Sequence, residues 1–183
     1  MIRVFVLALA LAGSTQAFAQ GAAKNEVSEK TLRILKNLAW QSLPSKIIQP
    51  DRSVVEIDKS DPSKIIIPDT EARDIIKGAY LTARAHRCDL QELVVANRDA
   101  ILMREKQRNK WSSAQLQYIN SLHLYTVQLL VGKVQVSEGD QPKPDFDPKT
   151  AQMPADNIAQ CSDKEKQDIL AAVEANEKQV RKS

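Results

Sequence analysis

The chain is poor in aromatics and in glycine: Phe, Tyr and Trp make up 4% of its 183 residues, and glycine occurs 5 times. Sandwiches and barrels need aromatic and β-branched strands joined by glycine-bearing turns, so a mainly helical fold is expected instead. The sequence holds neither a phosphate-cradling P-loop nor a Gly-rich dinucleotide fingerprint. Histidine and cysteine are scarcer still, with 2 of each. No Cys-x-x-Cys pair, haem attachment site, His-x-x-x-His or Glu-x-x-His pattern occurs, which removes the common redox, cytochrome and zinc sites. An excess of one charge is missing too: 26 basic residues face 23 acidic ones, a net +3. That balance gives nucleic acid nothing to hold at the level of the whole chain. Beyond the N-terminus, no stretch approaches the roughly 20 apolar residues of a membrane helix.

What is present begins with "MIRVFVLALALAGSTQAFAQ". Arg3 precedes an apolar run from Val4 to Ala12, and Ala17-Phe18-Ala19 places small residues before a cleavage point. This predicts a signal peptide over residues 1–19, with the mature chain starting at Gln20. The run is too short to serve as a transmembrane anchor. Leu11 to Ser14 resembles a lipoprotein-processing site, but Ser14 stands where the acylated cysteine must be, so no lipid anchor is expected. Removing the first 19 of 183 residues leaves 164, enough for one domain with a core. The destination is export: periplasmic in a bacterium, otherwise secreted.

Residues 20–136 read as a helical domain with an extended insert at 44–68, residues 137–160 as a Pro/Asp-rich linker, and residues 161–183 as a C-terminal helix docked on the same domain. A first helix is expected from Ser28 to Leu43, with Leu32, Leu35, Leu38 and Ala39 on one face and Pro44 ending it. In the insert, Val54 to Ile57 and Ile65 to Ile67 are β-branched runs. They predict a hairpin across "DKSDPSK" or an extended strap. Asp69 is the expected N-cap of the next helix. From Ala79 to Val131 neither glycine nor proline occurs.

At 100° per residue, Ala79, Ala83, His86, Leu90, Leu93, Asn97, Ala100 and Arg104 fall in one stripe. Its unbroken phase predicts a single helix from about Thr70 to Lys110, roughly 60 Å long. The competing reading takes Asp89 and Glu92 as a capping box and puts a corner at Cys88. A further helix from Ser112 or Ser113 to about Val134 carries Leu116, Asn120, His123, Val127 and Leu130 at the same spacing. Its extra leucines make it central. Asn97 is expected level with Thr126, one turn from His123. Ser162 to Glu165 reads as a capping box opening the last helix, which runs to Val180 with Ile169, Leu170 and Val173 inward. The fold class is therefore mainly α: a bundle on a long antiparallel helical hairpin, preceded by a short extended or β-hairpin element.

Three constellations carry chemistry. In "HRC", His86 and Cys88 point about 200° apart on a helix and cannot share a metal ion. Cys88 instead pairs with Cys161, since export permits disulfides and no other cysteine exists. Closing that loop contributes roughly 4 kcal/mol in the chain-entropy model. His86, Asn97, Asn120 and His123 form a polar seam where a bundle core is ordinarily apolar. A hydrogen-bonded layer fixing register is the plain reading, and a ligand site the sharper one. Arg104, Lys106, Arg108 and Lys110, beside Trp111, form a basic run. It is either a solvated helix end suited to the macrodipole or a docking patch, through residues 104–111, for an acidic protein or anionic surface.

No catalytic residue, metal centre or cofactor is expected. The leading function is a non-enzymatic exported protein acting by contact with a protein partner in the cell envelope. A ligand- or metal-binding bundle using the layer around His86 and His123 is second. An enzyme with a dispersed site is third. Nothing in the sequence sets the oligomeric state.

Overall fold

The computed structural model describes residues 27–49, 51–133 and 161–181. The expected signal peptide and linker lie outside those residues, whereas the helix expected to run to about Val134 ends at Leu130, with Val131 as its C-cap. Among the described residues the order is α1 (Glu29–Ser42), β1 (Lys46–Ile48), β2 (Val54–Glu56), a 3-10 turn (Pro62–Lys64), α2 (Asp69–Arg87), α3 (Gln91–Gln107), α4 (Ser113–Leu130) and α5 (Asp163–Val180). The fold is mainly helical, with a two-stranded antiparallel sheet before the bundle.

α1 forms as its leucine spacing dictates. Ser28 caps it by accepting from the Thr31 amide, and Leu32, Leu35, Leu38 and Ala39 are all buried. The sheet, however, is not the expected hairpin. Val54–Glu56 pairs with Lys46–Ile48, with Ile47 opposite Val55, rather than with Ile65 to Ile67. The reason lies in "DKSDPSK": Asp58 and Asp61 each accept from the amide and hydroxyl of the serine two residues on, and Pro62 opens a 3-10 turn. Those Asx turns carry the chain away from β2. Ile65 and Ile67 then bury against the helices as a strap, at 3% and 0% exposure.

The single helix expected from Thr70 to Lys110 is two helices with a corner at Cys88-Asp89-Leu90. Asp89 takes φ +57°, a left-handed geometry that aspartate tolerates better than most residues. The Leu90 amide returns to Ala85 O at 2.9 Å, closing α2. No capping box is made: Leu90 is the N-cap of α3 and has no side-chain bond. At the other end of α2, Asp69 lies inside the first turn with Pro68 as N-cap, and its carboxylate pairs with Lys36 instead.

The pairings set the directions. Asn97 meets Thr82 and Gly78, Ile101 meets Gly78, and Lys110 meets Glu71, so α3 runs back along α2. α4 runs with α2, since Thr82 meets His123 while Ala79 and Ala83 meet Val127 and Val131. α1 runs against α2, tied by Lys36–Asp69 and Arg73–Glu29. α4 touches α1, α2, α3 and β2, which makes it the central helix that its apolar circumference predicted. It opens on a full capping box between Ser112 and Gln115. α5 packs on α3 and α2. Its Ile169 and Val173 are buried, but Leu170, expected inward, is 44% exposed.

Gly78 is the one mid-helix glycine with a steric reason. A Cβ there would stand 2.6 Å from Ile101 Cδ1, so α2 and α3 approach at a distance no other residue permits without a shift.

Candidate functional site

The corner at Cys88 decides which polar residues meet. Because α3 folds back, Asn97 lands on α2 and not on α4. Its Nδ2 donates to Thr82 Oγ1 at 2.7 Å and to Gly78 O at 3.0 Å. Its Oδ1 accepts from Asn176 Nδ2 on α5 at 2.8 Å. Thr82 Oγ1 lies 3.0 Å from His123 Nε2. Four helices thus share one hydrogen-bonded layer, and Asn97, Thr82 and His123 are at most 2% exposed. Thr82 Oγ1 accepts from Asn97 and shares a further hydrogen bond with His123 Nε2, in which either atom can donate. The other ring nitrogen, Nδ1, is buried with no partner. Burial, helped by the charge of Arg98, pushes the imidazole down to about 4, so His123 is neutral at ordinary pH.

The other seam residues stand apart. His86 is half-buried one turn beyond Thr82, and its Nδ1 is also buried and unpartnered. Burial and then the nearby Lys133 charge lower its pKa. Asn120 is half-buried and makes no hydrogen bond within the layer. Thr126, expected level with Asn97, instead bonds back to Leu122 O at 2.7 Å. The structure therefore unites Asn97 with His123 only through Thr82, and adds Asn176. Neither was apparent from spacing, because both contacts depend on the chain reversal.

Cys88 and Cys161 form a disulfide with Cα atoms 5.4 Å apart. Around it Ala85, Ile169 and Val173 are buried, flanked by Leu81, Leu90, Leu93, Val94 and Ala96. Glu165 reaches within 4.8 Å of both sulfurs and lies 3.7 Å from Arg84. With the sulfurs joined to each other, no thiolate remains for a metal there.

The basic run has a centre that its charge count conceals. Glu105 is 1% exposed and accepts from Arg104 Nε at 3.2 Å, Arg108 Nη1 at 3.0 Å and Trp111 Nε1 at 2.9 Å. Burial pushes its pKa up, but the Trp111 bond and the Arg108 and Arg104 charges outweigh it and hold the carboxyl below its ordinary value. Lys110 pairs with Glu71 at 2.6 Å and covers the Trp111 ring at 4.2 Å. Four of the five residues named for docking are thus engaged within the chain; Lys106 forms no ion pair among the described residues. The signal that points to Glu105 is Trp111, whose indole N–H needs an acceptor when half-buried.

Among the described residues no helix is long and apolar enough to cross a membrane. No known protein family, curated protein or solved structure matches this chain.

Proposed function

We propose that this is a non-enzymatic exported protein that acts by protein–protein contact in the cell envelope, and that the β1–β2 hairpin is its contact surface. One observation carries the reading: Ile48 and Val54, paired across the strands, are 76% and 55% exposed. The backbone is also available. Ser45 and Ile57 form one bonded pair and Gln49 and Ser53 another, each at 2.8 Å. By the alternation of an antiparallel ladder, the amides and carbonyls of Lys46 and Ile48 then point away from β2. β2 is the strand nearer α4, so β1 is the outer edge. An open edge with an apolar outer face suits an extended apolar segment of a partner, added as a further strand. The leader at residues 1–19 and the disulfide support the exported setting.

The test is native mass spectrometry of the protein purified from its own compartment. Ile48→Lys with Val54→Lys is expected to remove the partner peak while leaving the circular dichroism unchanged. A partner peak that survives both substitutions sinks the hairpin as the contact.

A second reading is favoured by the two unpartnered imidazole nitrogens of His86 and His123. It makes the bundle a binder of a small polar ligand or metal ion in the layer. A bound mass lost on His123→Ala would move the function there. The anionic-surface reading of residues 104–111 has less support, since Glu105 and Glu71 already hold the charges that would do the docking.

A further inference from the structure

α5 is held to the rest of the chain as a helical ligand is held in a groove. Its contacts recur about one turn apart: Cys161 on Cys88, Glu165 on Arg84, Ile169 and Val173 in the apolar trough between α2 and α3, and Asn176 on Asn97. A covalent bond, a charge pair, an apolar stretch and an amide are met in turn along one face. This is the pattern of an anchored amphipathic helix in a receiving groove.

The connection to α5 is far longer than its ends require. Val127 and Val131, at the close of α4, pack on Ala79 and Ala83 in α2. Lys133 is near enough for its charge to act on His86. Cys161, where the description resumes, is bonded to Cys88 just past His86. Both ends of the connector therefore lie at the same end of the bundle. Residues 134–160 join them, and a chain of 27 residues reaches about 90 Å when extended. Such a reach does not dictate which copy's groove receives α5.

The geometry points to the α2–α3 groove as an interface between copies of this chain, in which α5 of one copy docks in the groove of another and is sealed there by a Cys88–Cys161 bond between them. The exchanged groove makes the same contacts as the closed chain, so no new complementary surface is required. What separates the two states is the connector. Its effective concentration is of order 1 mM, so at roughly 0.1 mM protein about one chain in ten exchanges.

Exchange needs the disulfide to open, and thiol–disulfide exchange does this without net oxidation. A small-molecule thiolate attacks Cys161 Sγ, forming a mixed disulfide and releasing the Cys88 thiolate. A second copy is opened in the same way by a second small thiolate. Its Cys88 thiolate attacks the first copy's mixed disulfide, the first copy's Cys88 thiolate attacks the second's, and a small thiolate leaves as each sulfur–sulfur bond forms between copies. Each thiolate consumed is returned, and no electron is gained or lost overall.

The experiment mixes heavy-isotope and ordinary full-length protein at about 0.1 mM with a catalytic amount of glutathione. The mixture is then quenched by alkylation and digested, and the disulfide-linked peptides are weighed. Expected are peptides joining heavy Cys88 to light Cys161, a few per cent of the total and rising in proportion to chain concentration. Two results overturn the proposal: links that remain heavy–heavy and light–light at every concentration, or hybrids in which Cys88–Cys88 and Cys161–Cys161 links are as common as Cys88–Cys161. The hairpin reading fails or stands separately, because Ile48→Lys with Val54→Lys leaves this groove untouched.

Discussion

The bundle buries polar side chains in two places, and it builds them on opposite principles. At mid-height, His123, Thr82, Asn97 and Asn176 form a neutral chain of hydrogen bonds that ends on an unpartnered imidazole nitrogen. At the α3–α4 junction, one carboxylate is buried and charged, and three donors converge on it. The neutral layer spans four helices and leaves one atom unsatisfied. The charged node ties residues 104 to 111 alone, and both carboxylate oxygens are partnered. Neutral groups tolerate an imperfect partner at modest cost, whereas a buried charge does not. The difference separates a device that sets helix register from one that fixes a single turn.

Removing the donors is the hardest blow to the charged node. Arg104→Ala with Arg108→Ala leaves Glu105 buried with Trp111 alone, and urea unfolding is expected to show a loss of about 4 kcal/mol at pH 7. A loss below about 1 kcal/mol would mean the carboxyl takes up a proton and the node is no different in kind from the layer.

Acid separates the two places by sign and by window. His123 is lowered to about 4 when folded and sits near 6.5 when unfolded, so between those values only the unfolded chain binds its proton. Stability contributed by the neutral imidazole is therefore full above about 6.5 and falls by about 3 kcal/mol as the pH drops to about 4. His86, also lowered, adds a slope of the same sign. Glu105 is held below the ordinary carboxylate value, so its contribution persists to lower pH and is lost only as the folded carboxyl takes up its proton. His123→Gln is expected to flatten most of the slope above pH 4.5 and to leave the acid limb below it. An unchanged slope would show that another group titrates in the layer.

Smaller effects sharpen the contrast. Asn176→Ala leaves Asn97 Oδ1 without its donor and is expected to cost about 2 kcal/mol, read by thermal or urea unfolding. The cap outside both clusters gives a scale: Ser112→Ala should cost about 1 kcal/mol by loss of the α4 capping box.

The sequence showed the layer in part and the node hardly at all. Asn97 and His123 stood out because each interrupts an apolar stripe at helical spacing. Their partners did not, since Thr82 and Asn176 are ordinary polar residues until the chain reverses at Asp89. That reversal was hidden by the stripe itself. α2 and α3 both face the core, and the short turn between them happens to keep the 4, 3 spacing in phase. An aspartate in left-handed geometry replaced the glycine that marks most such corners. Glu105 did not stand out within the basic run, because its burial depends on where α4 begins. Spacing placed Arg104 in the inward stripe, whereas in α3 the buried positions are Asn97, Ala100, Ile101 and Glu105. The helix starts at Ser28, Ser112 and Ser162, by contrast, are local chemistry and fell where the letters put them, although Ser162 caps only by accepting from the Glu165 amide rather than as the full box expected.

The chain has 2 tryptophans, and the fold gives them different neighbours. Trp111 donates its indole proton to Glu105, while Trp40 lies beneath the Lys59 ammonium, 4.4 Å from the ring centre. Emission from Trp111 is therefore expected to shift when the buried carboxylate takes up its proton, against a background from Trp40, whose ring contact is a cation. The indole is the molecule's built-in optical reporter on the junction of α3 and α4.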